Sequence, residues 1–284
     1  MIPLLSINQA TTRPYALTDT ARASSAAGVR HLGLWLEPVA ELGAAETVRL
    51  LDETGIRATS MSRTGFVADK SGAALHSALD DVRRAIELSA AVGAPTLSFI
   101  AGGLAPGDRD LRAGAGRVRD ALEVLAPEAR AAGVRLQLEP LHPLFATSRS
   151  VVTTVRQALG IIEGLPVESV GILVDAYATF WDADLHDALL AAGERIAGYQ
   201  VNDFVLPLPA EDHMLGRLLP GEGGIDLDAI TASVIQAGYT DPIEVEVFHE
   251  QLWALPLETI IERTVRTFTT AVVAPITART EVPV

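Results

Sequence analysis

One pattern constrains this chain more than any other: a helical stretch, then a glycine, then a short apolar strand, repeated along its length. The unit appears as SSAAGVRHLGLW, LLDETGIRATSM, LSAAVGAPTLSFI, ARAAGVRLQLEP and VIQAGYTDPIEVEVF. Gly28, Gly55, Gly93, Gly133 and Gly238 stand where a helix C-cap needs a left-handed backbone, which glycine supplies without a Cβ clash. The strands that follow show little polar alternation, as expected of parallel strands covered by helices.

Counting along the chain gives eight strands, starting near Pro3, His31, Arg57, Pro95, Val134, Val170, Ile196 and Pro242. Helical patterns lie between them, over 72–93, 109–132, 150–165, 184–195, 225–237 and 255–272. Eight strand–helix units predict one α/β domain, a (β/α)8 barrel over residues 1–272. Residues 273–284 carry prolines and no periodic pattern, and read as a loosely ordered C-terminal tail. The rival, a doubly wound sheet, wants a glycine-rich phosphate turn after its first strand; NQATTRP is not one, so no nucleotide cofactor is expected.

A formal charge of −14 argues against a nucleic-acid or anionic-membrane partner, but leaves room for a small anionic substrate met by an arginine in a pocket. The chain has no cysteine, which removes disulfides, thiol nucleophiles and thiolate metal sites. MIPLLSINQATTRP lacks a basic n-region and a long apolar h-region, so a cytoplasmic protein is expected.

Three carboxylates close short apolar strands: Glu139 in VRLQLE, Asp175 in VGILVD and Glu246 in PIEVE. A fourth strand, RIAGYQ, ends on Gln200 and leads into Asn202 and Asp203. In an α/β barrel the strand C-termini build the active site, so these polar tips converge on one pocket. Three converging carboxylates stay ionised only with something positive among them. Two solutions are open. A divalent cation (Mn, Mg or Ca) could be held by Glu139, Asp175, Glu246 and the Gln200 amide oxygen, an all-oxygen set. Alternatively the site holds no metal, and a shared proton leaves one acid neutral beside an ionised one.

LEPLHP, VDAYATFW, QVND, GEGGIDL and GYTDPIEVEVF make the chain resemble the xylose-isomerase-like TIM-barrel sugar (phosphate) isomerases and epimerases over nearly its whole length. The resemblance implies that Glu139, Asp175 and Glu246 bind one divalent metal with a histidine from the seventh strand. It also implies that the two glutamates move a proton beside a carbonyl, that Arg217 contacts substrate, and that barrels pair as homodimers. Two positions depart from the pattern. Gln200 stands where the metal histidine is expected, and Ala178 replaces a substrate-contacting histidine spaced D-x-x-H after Asp175.

The expected activity is therefore isomerase or epimerase chemistry on a small polyhydroxylated, carbohydrate-like carbonyl compound, with Glu139 and Glu246 as acid and base. The alternatives are a metal-independent lyase or dehydratase on a modified sugar, glycoside or biosynthetic intermediate, and a non-catalytic sugar-binding barrel or partner subunit. His142, three residues past Glu139, is a further candidate for proton transfer. Gln200, Asn202, Trp181, Arg217 and His249 are candidate substrate contacts, and Thr12, Arg13, Arg63, Trp35, Phe66 and Phe248 occupy strand tips where they could join them. Glu244 shares a strand face with Glu246 and reads as a partner in a buried salt bridge.

Overall fold

The helix–glycine–strand repeat closes on itself. The computed structural model describes residues 5–208 and 214–280. Its strands are β1 (Leu5–Asn8), β2 (His31–Trp35), β3 (Arg57–Gly65), β4 (Thr96–Ile100), β5 (Arg135–Glu139), β6 (Val170–Asp175), β7 (Ile196–Val201), β8 (Asp203–Phe204), β9 (Arg217–Leu218) and β10 (Ile243–Val245). Eight of them form a closed parallel barrel in the order β1-β10-β7-β6-β5-β4-β3-β2, and β8 and β9 form a separate antiparallel ribbon. The expected strand starts from His31 onward fall within a residue of those observed, and Pro3 lies outside the described residues. The five C-cap glycines have φ between 65° and 99°.

Long helices cover the barrel, among them Gly72–Ala91, Leu111–Ala131 and Leu257–Phe268. Their apolar faces meet the strands in one continuous core that includes Leu32, Leu34, Phe99, Leu122, Ile172 and Ile260. Among the described residues no helix is long and apolar enough to cross a membrane.

The barrel interior is different. Its N-terminal half is polar, and glycines make room for long side chains there. A Cβ on Gly33 would overlap the Glu244 carboxylate, and one on Gly198 would lie 2.5 Å from Gln137 Oε1. Among the described residues Glu244 has no salt bridge, contrary to the expectation above. Its carboxylate accepts hydrogen bonds from Asn8 Nδ2 (2.7 Å), Gln200 Nε2 (2.8 Å), Ser60 Oγ (2.7 Å) and Thr59 Oγ1 (3.1 Å). Four neutral donors take the place of a counter-ion.

The stretch after residue 272 also differs from the loose tail expected. The last long helix runs through a π turn, Thr269–Val273, into a helix over Ala274–Thr280. The cause is an apolar i,i+4 pair: Val272 is buried and Ile276 packs on the core, while Arg279 pairs with Asp228 at 2.7 Å. Residues 281–284 lie outside the described residues.

Gly33→Ala tests the crowded interior. The added methyl must displace the Glu244 carboxylate and its hydrogen bonds, so we expect a loss of about 1–3 kcal/mol, the range of overpacking. A urea-denaturation midpoint equal to that of the wild type would contradict it.

Candidate active site

Glu139 ends β5, Asp175 ends β6 and Glu246 directly follows β10, so all three acids stand at the C-terminal mouth of the barrel. In the order β10-β7-β6-β5, Glu246 and Glu139 are three strand places apart of eight. They therefore face each other across the mouth, with Asp175 in the arc between them.

The positive charge among them is Arg217. It arrives from the long connection after β7, on β9, whose Arg217 pairs with Phe204 of β8. The connection is pinned by Asp203, whose carboxylate accepts from the backbone N–H groups of Gly221 (3.1 Å), Gly223 (2.8 Å) and Ile225 (2.9 Å). Gly223 is required by this close approach, since a Cβ there would collide with Asp203. Arg217 N–H also donates to the Phe248 carbonyl at 3.3 Å.

Arg217 Nη1 donates to Asp175 Oδ2 at 2.9 Å and to Glu246 Oε2 at 3.1 Å. The guanidinium lies 4.8 Å from the Tyr177 ring centroid and 5.0 Å from that of Phe248, within cation–π range of both. Burial works against the arginine's charge, but Asp175, Glu246 and Glu139 together hold its pKa above the ordinary value. Its Nε is buried and has no hydrogen-bond partner among the described residues.

The three acids have unlike surroundings. Asp175 is fully buried and saturated: besides Arg217 it accepts from the Tyr177 backbone N–H (2.9 Å) and Asn202 Nδ2 (3.0 Å). Asn202 also donates to the Glu246 carbonyl at 3.0 Å, tying two of the acid-bearing strands together. Glu139 has no hydrogen-bond partner among the described residues. Its pKa is raised well above the ordinary carboxylate value, first by burial and then by the charges of Glu246 and Asp175. Burial also pushes Glu246 up, with Arg217 pulling back and Asp175 and Glu244 adding to the rise, to about 8. Because Arg217 bonds Glu246 directly and leaves Glu139 bare, Glu246 ionises first and Glu139 retains the proton.

Glu139, Glu246 and Arg217 line one cavity of about 240 Å³, together with Arg13, Arg63, Arg149, Trp35 and Phe248. Other residues singled out from the sequence do not line it. Gln200 is in register with Glu244, two residues before Glu246, and gives its amide N–H to that lower carboxylate. It belongs to a second cavity of about 390 Å³ in the N-terminal half of the barrel, with Arg135, Gln137 and Glu244. His142 is buried in an aromatic cluster, stacked 5.2 Å from Tyr177 and edge-on to Trp181. Its Nδ1 accepts from the Leu144 N–H (3.2 Å), which puts the ring proton on Nε2. Trp181 donates its indole N–H to the Ala178 carbonyl, and His249 meets Gly216 through the backbone at the start of the short helix Glu250–Trp253. Phe66 faces a different surface groove, and the Thr12 hydroxyl is taken by Thr20. Arg149 escaped the sequence reading. It sits in the loop after β5, and its only signal was its place at the C-terminal face.

A divalent metal, implied by the resemblance, does not fit this donor set. Arg217 already supplies a cation between Asp175 and Glu246. Asp175 has donors on both oxygens, and the Gln200 amide turns to the layer below. Among the described residues no group of three or more His, Cys, Asp or Glu side chains is arranged to hold a metal ion.

The sequence profile of the xylose isomerase-like TIM barrel family matches residues 21–271. The crystal structure of protein SMc04130 from Sinorhizobium meliloti 1021 superposes with a TM-score of 0.90 at 33% identity, covering 95% of this chain and 99% of that one. Inosose isomerase of Bacillus subtilis (strain 168) is 28% identical over 156 residues, 52% of each chain. A 3-dehydroshikimate dehydratase of Pseudomonas aeruginosa is 32% identical over 142 residues, 48% of this chain and 21% of that one. The chain thus spans about half the length of the inosose isomerase, and less of the dehydratase.

Two outcomes follow from the electrostatics. Glu139 and Glu246 have raised pKa values, so the folded protein holds protons that the unfolded chain releases above about 4.5. Stability is present in full below that pH and is lost as the pH rises toward 8. Glu139→Gln should flatten this slope and raise the thermal midpoint at pH 8; a lowered midpoint would contradict it. Arg217→Met, in contrast, leaves two buried acids without their cation and should destabilise by about 3–5 kcal/mol, read by urea denaturation at pH 8.

Proposed function

The chain belongs to the xylose isomerase-like TIM barrel family, and from that premise we propose that it is an isomerase or epimerase that moves a proton beside the carbonyl of a small polyhydroxylated compound. The observation that carries this reading is the unequal pair across the mouth: Glu246 bonded to a guanidinium, Glu139 without a side-chain partner among the described residues, both buried. Glu246, ionised, takes the proton from the carbon next to the carbonyl, and the C–H electron pair moves onto the carbonyl oxygen. The enediolate so formed needs a donor, and Arg217, whose buried Nε–H is unpartnered among the described residues, supplies one. Glu139 then returns a proton to carbon from the opposite side. Asp175 and Asn202 hold Arg217 and the Glu246 strand end in place and do not touch the reacting atoms.

In this reading the resident cation is the guanidinium, and no step needs a metal. Metal analysis of purified, unchelated protein should give well under one Mn, Mg, Ca or Zn per chain, and activity should survive chelation.

A second reading is favoured by the likeness to a dehydratase. The same deprotonation by Glu246 would be followed by loss of a hydroxyl β to the carbonyl, with Glu139 giving its proton to the departing oxygen as the C–O bond breaks and water leaves.

Isotope exchange separates the two. With hydroxylated aldehydes, ketones and inososes in D₂O, an isomerase places deuterium next to the carbonyl and keeps every hydroxyl. A dehydratase yields an unsaturated carbonyl product that has lost a hydroxyl and gained strong ultraviolet absorbance. In either case Glu139→Gln and Glu246→Gln should each lower kcat by about 10²- to 10⁴-fold. The kcat/KM of the wild type should rise as the pH passes about 8, where Glu246 ionises, and fall at higher pH as Glu139 loses its proton. Full activity in Glu139→Gln would overturn both readings.

A further inference from the structure

The active-site cavity is more basic than its chemistry requires. In a chain of formal charge −14, four arginines line it: Arg13, Arg63, Arg149 and Arg217. Arg217 is matched by Asp175 and Glu246. The other three come from separate parts of the C-terminal face, after β1, in β3 and after β5. Among the described residues none of them is paired with a carboxylate.

They are held together in spite of their mutual repulsion. Arg13 and Arg63 lie 5.9 and 5.2 Å from the centroid of the same Trp35 ring. That ring is itself fixed, its indole N–H donating to Asn8 Oδ1 at 2.7 Å and its backbone N–H to Gln9 Oε1 at 2.7 Å. A cation–π contact uses none of the guanidinium's N–H groups in a hydrogen bond and leaves them for a ligand. Arg149 is half-buried, and its pKa is lowered first by burial and then by the neighbouring charges of Arg63 and Arg217, with Glu139 opposing. On the cavity floor Ser98 is 1% exposed, and its Oγ has no partner among the described residues. Like charges gathered around a cavity, with an unsatisfied hydroxyl at its base, form a site completed by an anion that also carries hydroxyls.

Resting on the proton-transfer reading above, we propose that the substrate carries an anionic oxygen group, a carboxylate or a phosphate, bound by Arg13, Arg63 and Arg149. Its carbonyl end lies at Glu139, Glu246 and Arg217, and Ser98 meets one of its hydroxyls. The protein would thus act on a sugar acid or a sugar phosphate and discriminate against the neutral sugar.

Calorimetric titration of the full chain tests this with three probes of similar size: glucuronate, glucose 6-phosphate and neutral glucose. At least one anion should bind about tenfold or more tightly than glucose, with an advantage that shrinks in high salt. Whichever anion binds more tightly identifies the group as carboxylate or phosphate. The double variant Arg63→Gln/Arg149→Gln should bring the anion's affinity down to that of glucose and leave glucose unchanged. Arg13→Gln, at an exposed position that does not endanger folding, should weaken the anion severalfold by itself. The proposal is overturned if glucose binds as tightly as both anions, if neither anion binds measurably, or if the arginine variants bind the anions as the wild type does. Glu139→Gln should keep the anion preference while losing deuterium exchange. Anion binding that depends on the arginines, with no exchange into any carbonyl compound by the wild type, would end the isomerase reading and leave the anion site standing.

Discussion

A single guanidinium shared by two buried carboxylates holds this site together. Arg217 lies 2.9 Å from Asp175 and 3.1 Å from Glu246, with an aromatic ring near it from each of Tyr177 and Phe248. Removing one partner of a buried charge pair is far worse than never having had it, because the remaining charge stays desolvated. The β8–β9 ribbon, the Asp203 staple and the Asn202 bridge therefore serve one geometric end: they bring a side chain from a long loop to a point between two strands.

The site also shows how one residue type takes different roles from its surroundings alone. Asp175 has donors on both oxygens, Glu246 has one charged donor, Glu139 has none among the described residues, and Glu244 has four neutral ones. The first is locked in place by its donors, and the fourth is a structural acceptor that fills a polar barrel layer. The middle two have raised pKa values, and the asymmetry of Arg217 between them is what the proposed division into acid and base rests on.

Much of this was legible in the sequence, because the helix–glycine–strand repeat fixes strand count and strand ends locally. That placed Glu139, Asp175 and Glu246 at one mouth. What could not be read depends on contacts between distant segments. Gln200 ends its strand as the acids do, yet its register with Glu244 turns its amide to the layer below. Arg217 lies sixteen residues past the end of β7, in a loop whose return path is set by backbone N–H groups on Asp203. Arg149 sits in an aperiodic loop and gains meaning only from its cavity neighbours. The helical turn after residue 272 rests on two apolar side chains, Val272 and Ile276, too few to register as a pattern.

Asp203 has a consequence beyond holding a loop. Its carboxylate closes the chain excursion from Phe204 to Ile225 at the base, with the β8–β9 pairing as a second tie. Beside those ties, Leu208 and Leu215 pack on apolar clusters of the barrel. Doubling the length of such a closed loop costs only about 0.6 kcal/mol in closure entropy. The two ties therefore set the register of Arg217 with the acids at the base of the excursion, whatever its length. Asp203 in this way separates the length of the excursion from the placement of the cation that Asp175 and Glu246 share.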